Sequence, residues 1–336
     1  MRQALLFVPF ACAATAALAP TAGASQLIDR NASGVQLLIN AKGEALITYS
    51  AGGDVKHVLA WGAVNALPPT RGGKQVAFQL DYTGGWGKYY LSDPAVRLLQ
   101  SRYQQIRLTP GYLTSPTVKA LSARSAFARN YWLRSFHGSC GKYDGPPLAW
   151  FVTACKAPDG SYWALQAWQR MLPNYGLPAS PSQRVWELRL SHWTGPLPVL
   201  TVHTDWSWHR WDHLYGTFTY LGAPVFGFAA TRQGVPLDSF GRNVYVDTLD
   251  SVYGTGWRRE NSFLTHTGTG VFCYSVNPHG DRPAGKGTEY RATVIGPGVT
   301  PDVEWQGAAP GLYDPAADLL ANRAIAALGD PVCRPN

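Results

Sequence analysis

The sequence predicts a mainly β chain, an antiparallel β-sandwich with peripheral helices and a C-terminal helix, on three observations. Apolar runs of strand length recur from Ser25 onward, several with alternating apolar and polar positions. Turn signals separate them by about 8–12 residues, the spacing of sandwiches and barrels, and 35 Gly and 25 Pro supply the punctuation. Charged residues are only 15% of the chain, against about 25% in an ordinary soluble domain, while 46% apolar content suffices for a core.

In chain order, 36–39, 44–49 and 57–61 read as strands parted by Gly43 and Gly52-Gly53. Segment 75–82 puts Val76, Phe78 and Leu80 on one face and runs into the turn Gly84-Gly85-Trp86-Gly87. Ser115-Pro116 is a cap followed by a first-turn proline, so a helix is expected through Asn130. Asp144-Gly145-Pro146-Pro147 gives a similar signal for a short helix through Cys155. Alternation returns over 161–172, and 184–193 with 198–208 reads as a hairpin turning at Thr194-Gly195-Pro196. That hairpin would place Trp186, Leu188 and Leu190 on one face. Further strands are expected at 216–220, 225–229, 243–249, 270–276 and 289–295. Asp314 caps a last helix, Pro315 starts it, and Gly329 ends it. One β-rich domain over 25–336 is expected, with a split near residue 135 as the alternative.

Residues 1–24 read as a secretory signal peptide: Arg2, an apolar stretch from Ala4 to Leu18, and Ala22-Gly23-Ala24 as the cleavage site. Its removal leaves 312 residues with a formal charge of +7 and takes Cys12 away. The four remaining cysteines suit two disulfides in a secreted, extracellular or cell-surface protein. Local closure favours Cys140–Cys155 and Cys273–Cys333. No C-x-x-C or close Cys/His spacing occurs, which argues against a structural zinc site. No later apolar run reaches about 20 residues, so no membrane span is expected in the mature chain. Arg outnumbers Lys by 21 to 8 and is spread along the sequence, unlike the concentrated basic elements of nucleic-acid binders. No nucleic-acid partner follows, only a general attraction to anionic cell-surface material.

Three segments carry a resemblance: CGKYDGPPLAWFVTAC at 140–155, YVDTLDS at 245–251 and GTGWRRENSFLTH at 254–266. Together they resemble a secreted protein family of high-GC actinobacteria with no known activity, over most of the chain from about residue 55. The resemblance implies secretion and assigns no catalytic residue.

Candidate chemistry falls in three places. HTDWSWHRWDH at 203–213 puts His203, Asp205, Ser207 and His209 on one side of a strand, or Asp205, His209 and His213 on one side of a helix. That allows a metal set or a general base, Asp205 orienting His209, against the alternative of a polar face over a tryptophan core. Asp247 and Glu260 are the candidate catalytic pair for glycoside cleavage, which needs two carboxyl groups about 5–10 Å apart. The competing role for them is a salt bridge fixing the 254–261 loop. Trp86, Trp257 and Arg258, beside glycines, are the candidate ligand-binding residues, because flat aromatic rings stack on sugar faces. No G-x-S-x-G elbow, dinucleotide fingerprint or phosphate loop is found, and no cofactor is expected. The function expected is binding of a polysaccharide or cell-wall glycan through loop aromatics. A secreted glycoside hydrolase and a purely structural extracellular protein are the alternatives.

Overall fold

The computed structural model describes residues 25–68, 75–107, 110–124, 136, 140–171, 180–209, 211–226, 237, 241–251, 254–266, 268–275 and 287–335. The signal-peptide segment, Cys12, and residues 125–130 and 227–229 of two expected elements lie outside them. The chain is mainly β, and its paired strands run antiparallel.

Four sheets stack as two face-to-face pairs. In the first pair, one sheet has the order β1 (Gln26–Arg30), β9 (Arg184–Trp193), β8 (Tyr162–Met171), β7 (Phe151–Lys156) and β6 (Gly141–Lys142). Its partner is β2 (Ser33–Ile39), β3 (Ala45–Ala51), β4 (Asp54–Trp61) and β5 (Gln79–Asp81). Period-2 alternation sends Trp163, Leu165, Leu188 and Leu190 inward against Ile39, Ile47 and Val58. In the second pair, β14 (Gly254–Phe263), β13 (Val244–Ser251), β16 (Glu289–Val294) and β17 (Val303–Ala308) form one sheet. The other has β10 (Val199–Ser207), β11 (Trp211–Tyr220) and β12 (Ala223–Pro224), with β15 (Val271–Ser275) also paired to β11. Val202, Leu214, Phe218 and Phe272 meet Val244, Val246, Tyr290 and Val294 between them.

Gly216 shows how tightly β10 and β11 approach: a Cβ there would lie 1.9 Å from the Thr201 carbonyl oxygen. The C-terminal helix (Pro315–Leu328) forms as expected, with Asp314 accepting from the Ala316 and Ala317 amides and Gly329 left-handed at φ 63°. It covers the outer face of β11 and β15, with Ile325 buried against Tyr215 and Val271. Both expected disulfides are present, Cys140–Cys155 and Cys273–Cys333. The second ties the end of that helix to β15.

Several expectations are corrected. Segments 184–193 and 198–208 are not a hairpin: β9 pairs with β1 and β8, while β10 pairs with β11. Thr194–Pro198 instead carries the chain from one sheet pair to the other, so the expected turn is a crossing. The helix expected after Asp144 is absent. Val152 and Thr153 favour a strand, the Cys140 link lays β6 beside β7, and Asp144 accepts from Lys156 and Tyr162 rather than from a helix end. The turn expected at Gly84-Gly85-Trp86-Gly87 leads into a π-helical turn at 86–91, with Gly85 left-handed at φ 96°. A further helix at Pro94–Ile106, capped by Asp93, escaped the sequence reading although Val96, Leu99, Tyr103 and Ile106 share one face; of these only Val96 is fully buried. Trp186 is not a core residue; it is 47% exposed at the end of β9.

Candidate binding site at the seam between the sheet pairs

The two pairs meet back to back, and the seam is built of charge and aromatic rings rather than aliphatic packing. On β8 and β9 the strand period puts Gln166, Trp168, Arg170, Glu187 and Arg189 on the face opposite the first core, and all are buried. On β13, Tyr245 and Asp247 point away from the second core by the same alternation. Trp168 packs edge-on against Tyr245 with centroids 5.0 Å apart, and its Nε1–H donates to Asp302 at 2.8 Å.

Glu187 is the anionic centre on the first side. Arg170 Nε lies 2.9 Å away, Arg30 Nη2 3.3 Å and Arg189 Nη2 3.4 Å. Burial alone would push the Glu187 carboxyl up; Arg170, Arg189 and Arg30 overcome it and hold it below the ordinary value of 4.5. Asp247 is the centre on the second side. Its Oδ1 accepts from Arg259 Nε at 2.5 Å, and its Oδ2 from Arg259 at 3.3 Å and Arg291 at 3.1 Å. Arg259 also donates to the Gln169 carbonyl at 3.2 Å, tying the two sheet pairs directly. The guanidinium groups lie over rings as well: Arg170 is 4.2 Å from Trp168 and 4.1 Å from Tyr245, and Arg291 is 4.3 Å from Trp150 and 4.2 Å from Trp257.

At the edge of this seam a recess of about 30 Å³ is lined by Gln169, Arg170, Arg184, Asp247, Trp257, Arg258 and Arg259. That is room for one small group and not for a sugar ring. Four arginines surround one carboxylate there. Asp247 is already engaged by two guanidinium groups, whereas Arg184 and Arg258 have no acidic partner among the described residues. The recess therefore favours an incoming anion, with Trp257 as a flat wall beside it.

The structure thus brings Asp247, Trp257 and Arg258 together and separates the other candidates. Trp257 and Glu260 sit on strand β14 rather than in or after a glycine-rich loop. A bulge between Val246 and Asp247 interrupts the pairing at Glu260, which turns to the second core's side, 3.4 Å from the Tyr274 hydroxyl. Asp247 and Glu260 hence lie on opposite sides of the β13–β14 pair. Trp86 belongs to the first sheet pair, half-buried, its ring centroid 3.8 Å from that of Tyr90.

The 203–209 trio also divides. His203 is exposed on β10, while Asp205 is buried and accepts from His213 Nδ1 at 2.6 Å. His209 lies in the β10–β11 turn with φ 57° and faces Asp318 at 3.7 Å instead. The turn begins before residue 209, so the strand period no longer governs where that ring points.

Arg170, Arg184 and Arg291 were not singled out in the sequence. The available signal was charge in mid-strand positions: Arg170, Glu187, Arg189, Asp247 and Arg291 all fall inside alternating runs, on the side opposite the aliphatic residues. Compared with family models, curated proteins and solved structures, the chain matches none.

Proposed function

We propose that the protein is a secreted binder of acidic cell-surface polysaccharide, taking a carboxylate or similar anionic group of the glycan into the Arg184–Arg258 recess beside Trp257. The observation that carries this reading is the pair of arginines, without acidic partners among the described residues, at the mouth of a small, aromatic-walled recess. The two disulfides and the overall positive charge fit an extracellular, anion-seeking role. The hydrolase alternative is weakened because Asp247 and Glu260 do not face one another.

The test is retention on a uronate-bearing polysaccharide and on a neutral one, with wild type and an Arg184→Gln/Arg258→Gln variant. Two half-exposed charge contacts of roughly 1 kcal/mol each predict a loss of about tenfold or more on the acidic glycan, and wild-type retention that falls with added salt. Equal retention on both polysaccharides, or an unaffected double variant, overturns the reading. No retention on either leaves the structural-protein alternative.

A further inference from the structure

The residues on the far side of β11 and β15 form a second constellation, unrelated to the seam. A ring nitrogen of His213 and the sulfurs of Cys273 and Cys333 lie within 4.8 Å of one another. His213 Nδ1–H donates to Asp205 Oδ1 at 2.6 Å, which leaves Nε2 as the nitrogen without that engagement. Asp205 is only 1% exposed, and its Oδ2 is buried with no hydrogen-bond partner among the described residues. A buried carboxylate with one oxygen unsatisfied calls for positive charge nearby.

We propose that, when the Cys273–Cys333 bond is reduced, the two sulfurs and His213 form a binding site for a zinc-class divalent cation. Two thiolates and one imidazole suit zinc, and three protein ligands leave a fourth position open. The two Cα atoms are 5.3 Å apart, so the sulfurs remain neighbours after the bond opens. Asp205 is the positioning residue, a carboxylate fixing the tautomer of a metal-bound histidine. Two thiolates offset the charge of the ion, and a metal on Nε2 makes the His213 Nδ1–H a stronger donor to Asp205. A cavity of about 430 Å³, lined in part by Cys273, Tyr274, His266 and Val332, adjoins the site at Cys273.

The reduction balances simply. A dithiol gives two electrons and two protons to the sulfur–sulfur bond and leaves as its own disulfide. Zinc then displaces both thiol protons to solvent. In either state the end of the C-terminal helix stays tied to β15, by the disulfide or through the ion. Sequence spacing hides the site, because its members lie 60 positions apart in both directions from Cys273.

The experiment uses the full chain reduced with a trialkylphosphine, which takes its oxygen from water and does not compete strongly for metal. Cobalt(II) is then titrated as the probe. The expected result is one cobalt per chain with thiolate-to-cobalt charge-transfer absorption, absent from the oxidised protein and from Cys273→Ser/Cys333→Ser. Asp205→Asn should weaken binding about 10–100-fold while leaving the sulfur absorption bands, and His213→Gln should weaken it and alter the ligand-field bands. Absence of stoichiometric cobalt in the reduced wild type overturns the proposal. So does a signal that persists in the double serine variant, which would place the metal on Cys140 and Cys155, or one indifferent to His213→Gln.

Discussion

Replacing Glu187 by Gln keeps the shape of the side chain and removes one negative charge from the middle of the seam. The side chains of Arg170, Arg189 and Glu187 are 3%, 4% and 4% exposed, so no solvent takes the place of the lost charge. Two buried guanidinium groups would then share a neutral amide. Breaking a buried ion pair by removing one partner costs about 3–5 kcal/mol, and with two buried cations affected the upper half of that range is expected. Against a total stability of about 5–15 kcal/mol, this is a loss of at least a quarter. Urea unfolding followed by tryptophan fluorescence measures it: with a slope of roughly 3 kcal/mol per molar urea, the midpoint should fall by more than about 1 M. The pH dependence provides a second check. Burial opposes ionisation of Glu187, but its arginines win and the folded value lies below 4.5. Its contribution is therefore complete above the unfolded value and disappears as pH falls through the folded one. The difference between Glu187→Gln and wild type should begin to narrow below the ordinary glutamate value of about 4.3 and go on narrowing as the folded carboxyl takes up its proton. A loss under about 1 kcal/mol at pH 7, or a difference that stays constant down through the carboxylate range, would refute the charge-centred account of the seam.

Three further outcomes are expected. Burial raises the Asp212 carboxyl to about 6 despite a 2.7 Å hydrogen bond from the Tyr290 hydroxyl; Asp212→Asn should therefore stabilise the fold above pH 7, and melts repeated down to pH 4 should show the gain fading. Burial pushes His192 below 6.5, with Nδ1–H donating to the Ala63 carbonyl and Nε2 2.8 Å from the Ser161 hydroxyl. The unfolded chain takes up a proton there first, so wild-type stability should fall as pH drops below 6.5, by up to about 1.4 kcal/mol per unit until the folded value is reached, and His192→Gln should flatten that slope. Gly216→Ala puts a methyl group against the Thr201 carbonyl and should destabilise by about 1–3 kcal/mol or more; amide exchange confined to β10 and β11 would report it, and wild-type protection there would contradict the close approach.

How much of this was legible in the sequence depends on whether local or distant residues decide. Alternation in 161–172 and 184–193 was local, and it identified β8 and β9. Caps at Asp314 and Gly329 fixed the last helix within a residue for the same reason. Strand partnership was not legible: Thr194-Gly195-Pro196 looks like a hairpin turn and is a crossing between sheet pairs, because nothing within ten residues reveals that β9 prefers β8. Glu260 and Trp257 were read as loop neighbours from the glycines at 254 and 256, yet those glycines flank a strand whose order comes from pairing with β13. Arg258 and Trp257 were found because their types suit a ligand. Arg170 and Arg184 reach the same recess from strands β8 and β9, some 70–90 positions earlier, and only the fold could join them.

The composition takes on meaning in the seam. A chain with 15% charged residues places Arg170, Glu187, Arg189, Asp247, Arg259 and Arg291 in the contact between its two sheet pairs, where aliphatic side chains of similar volume would hold at least as well. Stability therefore does not account for this arrangement. What it supplies is geometry: Arg170, Arg259 and Arg291 each lie between a carboxylate and a ring, so the relative setting of β8 and β13 is fixed by directional contacts rather than by shape alone. The same contacts determine what lies at the edge. Asp247 engages Arg259 and Arg291, and Arg184 and Arg258, with no acidic partner among the described residues, stand beside Trp257 in surroundings already ordered. An apolar seam would hold the sheets together, but it would leave those two side chains on an unfixed edge with no recess between them.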